Sequence, residues 1–209
     1  MIKIEQVHVS GWEAAIRGMR NPMNSWEQSD SVNGAGIGQK DLDLMKRLAA
    51  AGSDHRKFMR YINVTLDITA PLYWWKEYDT YKVGTVANSC STMHRIHEKE
   101  FTIDDFSHEH LFGTAEVVLE HIIITLNLNR DRFNESGHKD KQSWWNMIQL
   151  LPSSYNQRRT VQLNYEVLRH IYHARKAHKL DEWQALCAWI ETLPHSELIT
   201  MKGGAFDGN

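Results

Sequence analysis

Cysteine is nearly absent: Cys90 and Cys187 are the only two in 209 residues, which rules out a disulfide framework and fits a reducing compartment. Neither sign of charge is in excess. The 24 Lys and Arg against 26 Asp and Glu give a formal net charge of -2, so the chain has no electrostatic footprint for duplex nucleic acid or an anionic membrane. No apolar run approaches the ~20 residues of a membrane span, and the opening Met1-Ile2-Lys3-Ile4-Glu5 lacks the apolar core of a signal peptide. No repeat, low-complexity tract or linker-like stretch divides the chain. The expectation is a soluble, cytoplasmic protein without nucleic-acid or membrane partners, folded as one domain over residues 1–209, long enough to bury a sizeable core. What the chain does have is 12 His and 8 Trp, side chains that titrate, stack and bind.

Apolar periodicity gives an α+β reading. Residues 2–9 alternate like an edge strand, and Trp12, Ala15, Ile16 and Met19 stand at helical spacing. Residues 27–39 read as a mobile loop. The Gly34-x-Gly36-x-Gly38 inside it is a weak nucleotide signal, because no apolar strand leads into it. Residues 41–51 read as a helix stopped by Gly52. Over 61–69 the alternation is strict, with Ile62, Val64, Leu66 and Ile68 on one face of a strand. Residues 109–128 form a helix too apolar for an ordinary surface, placed in the core or at a subunit interface. Residues 129–140 read as a charged loop; 144–151, 158–176 and 180–192 follow as helices, the last broken near Pro194. Strands first and consecutive helices after them argue for α+β, with a helical C-terminal half.

Residues 71–94 mix aromatics, charges and small hydroxyl residues without a core pattern. Trp74 and Trp75, then Lys76, Glu77, Asp79 and Lys82, then Ser89-Cys90-Ser91-Thr92, suit a site that stacks a flat ligand and bonds its polar edge. Adjacent Trp pairs, 74/75 and 144/145, more often serve a core than a stacking platform, although neighbours on a helix cannot both face the same way. His94-x-x-His97 and His170-x-x-His173 each put two imidazoles on one helix face, and His108-x-His110 adds a third cluster; these can hold a metal or be surface histidines of a His-rich chain. Cys90 is either a nucleophile or a small half-buried thiol. Arg158, Arg159, Arg169 and Arg175 recur along one expected helix and could grip phosphate or form a solvated face.

Larger elements stand in a fixed order. Asp41-Leu42-Asp43-Leu44-Met45-Lys46-Arg47-Leu48 precedes Gly52-Ser53-Asp54-His55, and a strand ends in Ala70-Pro71-Leu72. Thr80-Tyr81-Lys82 is followed, after seven intervening residues, by Cys90; then come Glu100-Phe101, Leu151-Pro152, Tyr155, Asn164, Arg175 and Trp183. Over most of its length the chain thus resembles the flavin-dependent thymidylate synthases, whose signature is Arg-His-Arg, seven residues, then Ser. The spacing is kept and the letters change. The resemblance implies an α+β fold with a twisted, largely antiparallel sheet flanked by helices, assembled as a homotetramer. It also implies FAD as cofactor, dUMP as substrate, and NADPH and methylenetetrahydrofolate as co-substrates in the reductive methylation of dUMP to dTMP. Chemistry would reside in the flavin, with the protein stacking, orienting and polarising the pyrimidine.

Carried over by position, His55, Thr80, Tyr81, Lys82, Asn164 and His170 would contact FAD. Glu77, Asn88, Cys90 and Arg175 would contact dUMP, with Arg175 directed at the pyrimidine and Arg175 and Cys90 at the catalytic positions; no metal belongs to this expectation. His170 stands for the family's Asn and Glu77 for a Gln. Thr80, Thr92, Ile148 and Glu166 stand where the family has Arg, Asn88 for a Glu and Cys90 for the Ser. Each lost arginine removes charge-assisted phosphate bonds worth about 1.5–3 kcal/mol. Either Lys76, Lys82, Arg158 or Arg159 restores that charge, or the chain is a non-catalytic or re-purposed flavin- or nucleotide-binding paralogue. A His-rich metal-dependent hydrolase on another helical fold is the reading from a third class.

Overall fold

Alternation of buried and exposed residues builds the sheet. The computed structural model describes residues 2–32 and 36–202. Four strands, β1 (Lys3–Ser10), β2 (Asn63–Pro71), β3 (Val86–Ser89) and β4 (Asn156–Asn164), form one antiparallel sheet in the order β1-β2-β4-β3. In β2 every second residue, Val64, Leu66, Ile68 and Ala70, is buried, as the spacing predicts. Register against β4 is set at one end by Tyr165 N–H donating to Ile62 O at 3.0 Å and at the other by Leu72 N–H donating to Tyr155 O at 3.0 Å.

The helices in chain order are α1 (Trp12–Arg20), α2 (Gln39–Ala50), α3 (Leu72–Tyr78), α4 (Thr114–Glu135), α5 (Lys141–Leu150), α6 (Tyr165–Arg175), α7 (Asp181–Ile190) and α8 (Glu197–Thr200). The described residues fall into two compact units, one of residues 2–4, 68–80 and 88–160, the other of residues 5–32, 36–67, 81–87 and 161–202. In the first, α4 packs on α5 around Phe101, Phe106, Leu119, Leu126, Phe133 and Met147. In the second, α6 packs on α7, α8 and the 3-10 helix Arg56–Tyr61, which α1 and α2 also meet. Gly11 turns the chain from β1 into α1 at φ 91°, where a Cβ would sit 1.9 Å from Tyr61 O, so no other residue fits. Among the described residues no helix is long and apolar enough to cross a membrane.

Three expectations fail on local detail. The segment 158–176 is not one helix: residues 156–164 are strand β4, and the helix begins only at Tyr165. Buried Gln157, Val161 and Leu163 share the strand's inner face, a period of two hidden among arginines. Asn164 then stops the strand, its Oδ1 accepting Val167 N–H at 3.0 Å as the cap of α6. The apolar helix starts at Thr114, after Gly113 at φ 62°, and runs on to Glu135 through the supposed loop. Leu119, Leu126, Asn129 and Phe133 continue one buried face, and Asn129 is satisfied there by Thr125 O and Asn146 Nδ2. On the other face Val117, Val118, Ile124 and Leu128 are exposed in this chain. His94 and His97 lie in turns rather than on a helix.

Of the segment 27–39, the described residues 27–32 and 36–39 are better tied than a mobile loop. Trp26–Gln28 is a 3-10 turn, and Asp30 caps α2 by accepting Lys40 N–H at 2.9 Å and Asp41 N–H at 3.1 Å. Those backbone bonds hold the Asp30 carboxyl below its usual range. Gly38 is required because a Cβ would fall 2.2 Å from Asp30 Oδ1. A helix N-terminus already taken by a carboxylate does not await a phosphate; Gly34 lies outside the described residues.

Candidate active site

In the second unit, the turn after β4 and the start of α6 set the frame. Tyr165, Leu168 and Ile171 face inward and are buried, which turns His170 to solvent and brings Arg175 to the last turn of α6. There Arg175 Nε donates to Tyr81 OH at 2.8 Å. Its guanidinium carbon lies 4.8 Å from the centroid of the fully buried Trp183 ring and 5.6 Å from that of Tyr81. Tyr81 meets His170 edge-on at 5.7 Å and Trp183 at 5.9 Å. One cation is thereby held by a directed hydrogen bond and two aromatic faces, an arrangement that fixes orientation better than charge pairing does. The Tyr81 turn is pinned by Thr85 Oγ1 donating to Tyr81 O. Gly84 lies so close to α6 that a Cβ would fall 3.2 Å from Asn164 Nδ2 and 3.1 Å from Val167 Cγ2.

Tyr81, His170 and Arg175 therefore gather toward the C-terminal end of α6, Asn164 caps the opposite end beside Gly84, and Lys82 is exposed next to Tyr81. Asn164 spends its oxygen on the cap, and its Nδ2 makes no hydrogen bond among the described residues. His55 is exposed in the turn before Arg56–Tyr61. Its neighbour Arg56 Nε reaches both carboxylate oxygens of Glu166 at 3.0 Å. The glutamate that stands where an arginine was expected is thus matched by an arginine from the facing segment.

The first unit holds Glu77, Thr80, Asn88 and Cys90. Thr80 lies in the turn just after α3, its hydroxyl donating to Glu77 O at 2.7 Å. Asn88 and Cys90 are exposed. Cys90 N–H donates to Arg158 O at 3.0 Å and its carbonyl accepts from Gln157 Nε2 at 2.9 Å. Sequence reasoning missed what secures this edge: Arg159 lies 4.2 Å over Trp75, donates Nη1 to Asp79 at 2.8 Å and Nε to Gln157 Oε1 at 3.0 Å. Only the alternation of β4, read as a strand, signals it.

The four arginines of the supposed single helix thus part company. Arg159 is committed to Asp79. Arg169 is 2% exposed and donates to Leu198 O and Ile199 O at 3.2 Å, a structural role. Arg158 is exposed on β4 and Arg175 belongs to the aromatic cluster.

Trp74 and Trp75 do not form a stacking platform, since both are fully buried, with Trp75 Nε1 donating to Gln157 O at 2.9 Å. Tyr78 packs against both; burial pushes its phenol well above the usual range. Cys187 is buried, its thiol pushed up to about 11 by that burial. His97 lies 4.6 Å from His138, and its pKa falls below the ordinary value through burial and then that neighbour. His173 faces Ile199 O at 3.1 Å. Among the described residues no three His, Cys, Asp or Glu side chains stand close enough to hold a metal ion.

No protein-family profile and no curated protein matches the chain. Solved structures do. The flavin-dependent thymidylate synthase ThyX from Helicobacter pylori, complexed with FAD and dUMP, is similar at a TM-score of 0.70 and 20% identity over 95% of this chain and 98% of that one. A second structure of the Helicobacter pylori enzyme with FAD and dUMP gives 0.69 and 19% over 96% and 98%. A UMP/dUMP methylase, PolB, from Streptomyces cacaoi bound with 5-Br dUMP gives 0.60 and 15% over 92% and 89%. The chain has the fold of the flavin-dependent thymidylate synthases.

Proposed function

We propose that the protein is a flavin-dependent pyrimidine methylase of the thymidylate synthase type, one domain over residues 1–209, that binds FAD and dUMP. The observation that carries this is the Tyr81–Arg175–Trp183 cluster at the end of α6, on a fold whose solved relatives bind FAD and dUMP. Bound FAD would supply the hydride that completes the methyl group; NADPH and methylenetetrahydrofolate are proposed as reductant and one-carbon donor. This chain's residues bind and orient. Arg175, locked by Tyr81 and Trp183, presents a fixed positive charge to a pyrimidine carbonyl and steadies negative charge that develops there. Asn164 Nδ2, His170 and Lys82 offer donors to the flavin, and His55 lies against it beside the Arg56–Glu166 pair. Glu77, Asn88 and Cys90 present an edge to dUMP, and Thr80, next to Tyr81 in sequence, belongs with the flavin-facing residues. The exposed row Val117, Val118, Ile124 and Leu128 on α4 is the kind of surface that a subunit contact covers, which supports a homotetramer.

A second reading has its own observation. Thr80 donates back to Glu77 O of α3, and Arg159 is neutralised by Asp79. Two positions expected to meet phosphate thus spend their groups internally, as a non-catalytic or re-purposed flavin-binding paralogue would allow. The decisive experiment is an absorbance spectrum after FAD addition and gel filtration, followed by dUMP titration and a tritium-release assay. Retained flavin bands shifted by dUMP, with turnover, support the synthase. Retained flavin with no response to dUMP supports the paralogue, and a protein that never holds flavin refutes both.

A further inference from the structure

A cleft of about 530 Å3 opens in the second unit between α1, residues 29–32 and 36–37, and the turn before α8, lined among others by Trp12, Glu13, Ile16, Arg17, Ser29 and His195. Its size lies in the range of small-molecule sites. Nothing in the proposed flavin and nucleotide chemistry uses it.

One wall is built at some cost. Asp41 is fully buried and takes Arg20 Nε and Nη2 on Oδ1, each at 2.6 Å. On Oδ2 it accepts the hydroxyls of Ser29 and Ser31, both at 2.6 Å, and Ser31 N–H at 3.1 Å. Burying such a pair is unfavourable unless it fixes a geometry, and here it fixes Ser29 and Ser31. The Ser29 hydroxyl proton is directed at Asp41, which leaves its oxygen lone pairs as the acceptor it can offer the cleft. The opposite wall ends in His195, held at φ 52° and edge-on to Trp12 at 5.3 Å. A non-glycine residue in that region is strained and is held there by its surroundings. Trp12 is braced from behind by Tyr165 at 5.3 Å.

The floor and rim are apolar, with Ile16, Val32, Ile37 and Pro194. The charges are two and opposite. Glu13 and Arg17 stand one helical turn apart on the exposed face of α1, at the spacing and in the orientation that favour an ion pair. Yet neither makes an ion pair or hydrogen bond among the described residues, and the Trp12 indole N–H has no acceptor there either. A purely anionic ligand would meet Glu13 and a purely cationic one Arg17, while a neutral apolar ligand would desolvate both without pairing them. We propose that the cleft binds a zwitterionic amino acid with a flat apolar side chain, its carboxylate on Arg17, its ammonium on Glu13 and its ring against Trp12.

The test titrates L-phenylalanine into the full chain while following the indole N–H resonance of Trp12, assigned by loss of that signal in Trp12→Phe. N-acetyl-L-phenylalanine removes the ammonium and L-phenylalaninamide removes the carboxylate. The expected result is a saturable shift with L-phenylalanine and binding weaker by roughly ten-fold or more for each derivative. Arg17→Gln should lower the affinity for L-phenylalanine to that of the amide. Glu13→Gln should lower it to that of the N-acetyl compound. Both residues are exposed, so the variants should fold, and FAD retention should not change in either. No saturable shift, equal binding of the three compounds, or indifference to both substitutions would overturn the proposal.

Discussion

Replacing Asp41 by Asn tests the most heavily committed carboxylate in the molecule. Both oxygens are used: Oδ1 by Arg20 Nε and Nη2, Oδ2 by the Ser29 and Ser31 hydroxyls and Ser31 N–H. Asparagine keeps one acceptor oxygen and turns two N–H donors onto groups that themselves donate. If its oxygen stays with Arg20, a guanidinium only 4% exposed is left without a counter-charge. If it turns to the serines, donors face Arg20. Breaking a buried pair from one side costs about 3–5 kcal/mol, out of a total of about 5–15 kcal/mol for a folded domain. Urea unfolding followed by circular dichroism at neutral pH should show the midpoint falling by roughly 1–2 M.

Removing both partners with Arg20→Met and Asp41→Leu should cost less than Asp41→Asn alone, because no charge is stranded. The pH dependence follows. Burial alone would raise the Asp41 pKa, but bonds from Ser29, Ser31 and Arg20 outweigh it and the net shift is downward. The contribution is therefore fully present above the unfolded value of about 3.9 and disappears as pH falls through the lower folded value. Asp41→Asn should flatten that acid limb. A loss below about 1 kcal/mol, or an unchanged acid limb, would refute the reasoning.

Three further outcomes are expected. Tyr81→Phe keeps the ring and removes the acceptor of Arg175; because Arg175 is partly exposed, dUMP affinity should fall by only about 3- to 10-fold while FAD affinity holds, and equal loss for both ligands would assign Tyr81 to the scaffold. Arg175→Ala should weaken dUMP far more than FAD, and His55→Ala the reverse, read from separate calorimetric titrations. Cys90→Ser should leave turnover within a few-fold, since Cys90 is held through its backbone; abolition of turnover would reveal thiol chemistry.

Periodicity made β2 legible because Val64, Leu66 and Ile68 alternate with polar residues over a long run. β4 was illegible for the opposite reason: Arg159 interrupts the buried row of Gln157, Val161 and Leu163, Arg158 and Thr160 fill the exposed face beside it, and the helical signal of α6 runs straight on from it. The role of Arg159 depends on Asp79, eighty residues away, and no local pattern announces that pairing. α4 was misjudged at both ends because Asn129 and Phe133 continue a buried face through residues that look charged and loop-like. The cluster around Arg175 was legible through spacing, although its aromatic support from Tyr81 and Trp183 was not. Trp74 and Trp75 went the way adjacent Trp pairs more often go: a short helix buried them both, where a platform would have exposed one.

The pairing of β2 with β4 has a consequence for how the chain comes into being. One edge of β2 can meet β1 as soon as it is made, but the other must wait for residues that follow roughly a hundred positions later, and such non-local closure slows folding. At about 5–20 residues per second, that edge leaves the ribosome many seconds before its neighbour exists. During synthesis Val64, Leu66 and Ile68, which end fully sheltered, belong to a strand open on one side. A nascent chain halted before residue 156 should therefore need a chaperone to stay in solution, whereas the same chain released past residue 164 should not.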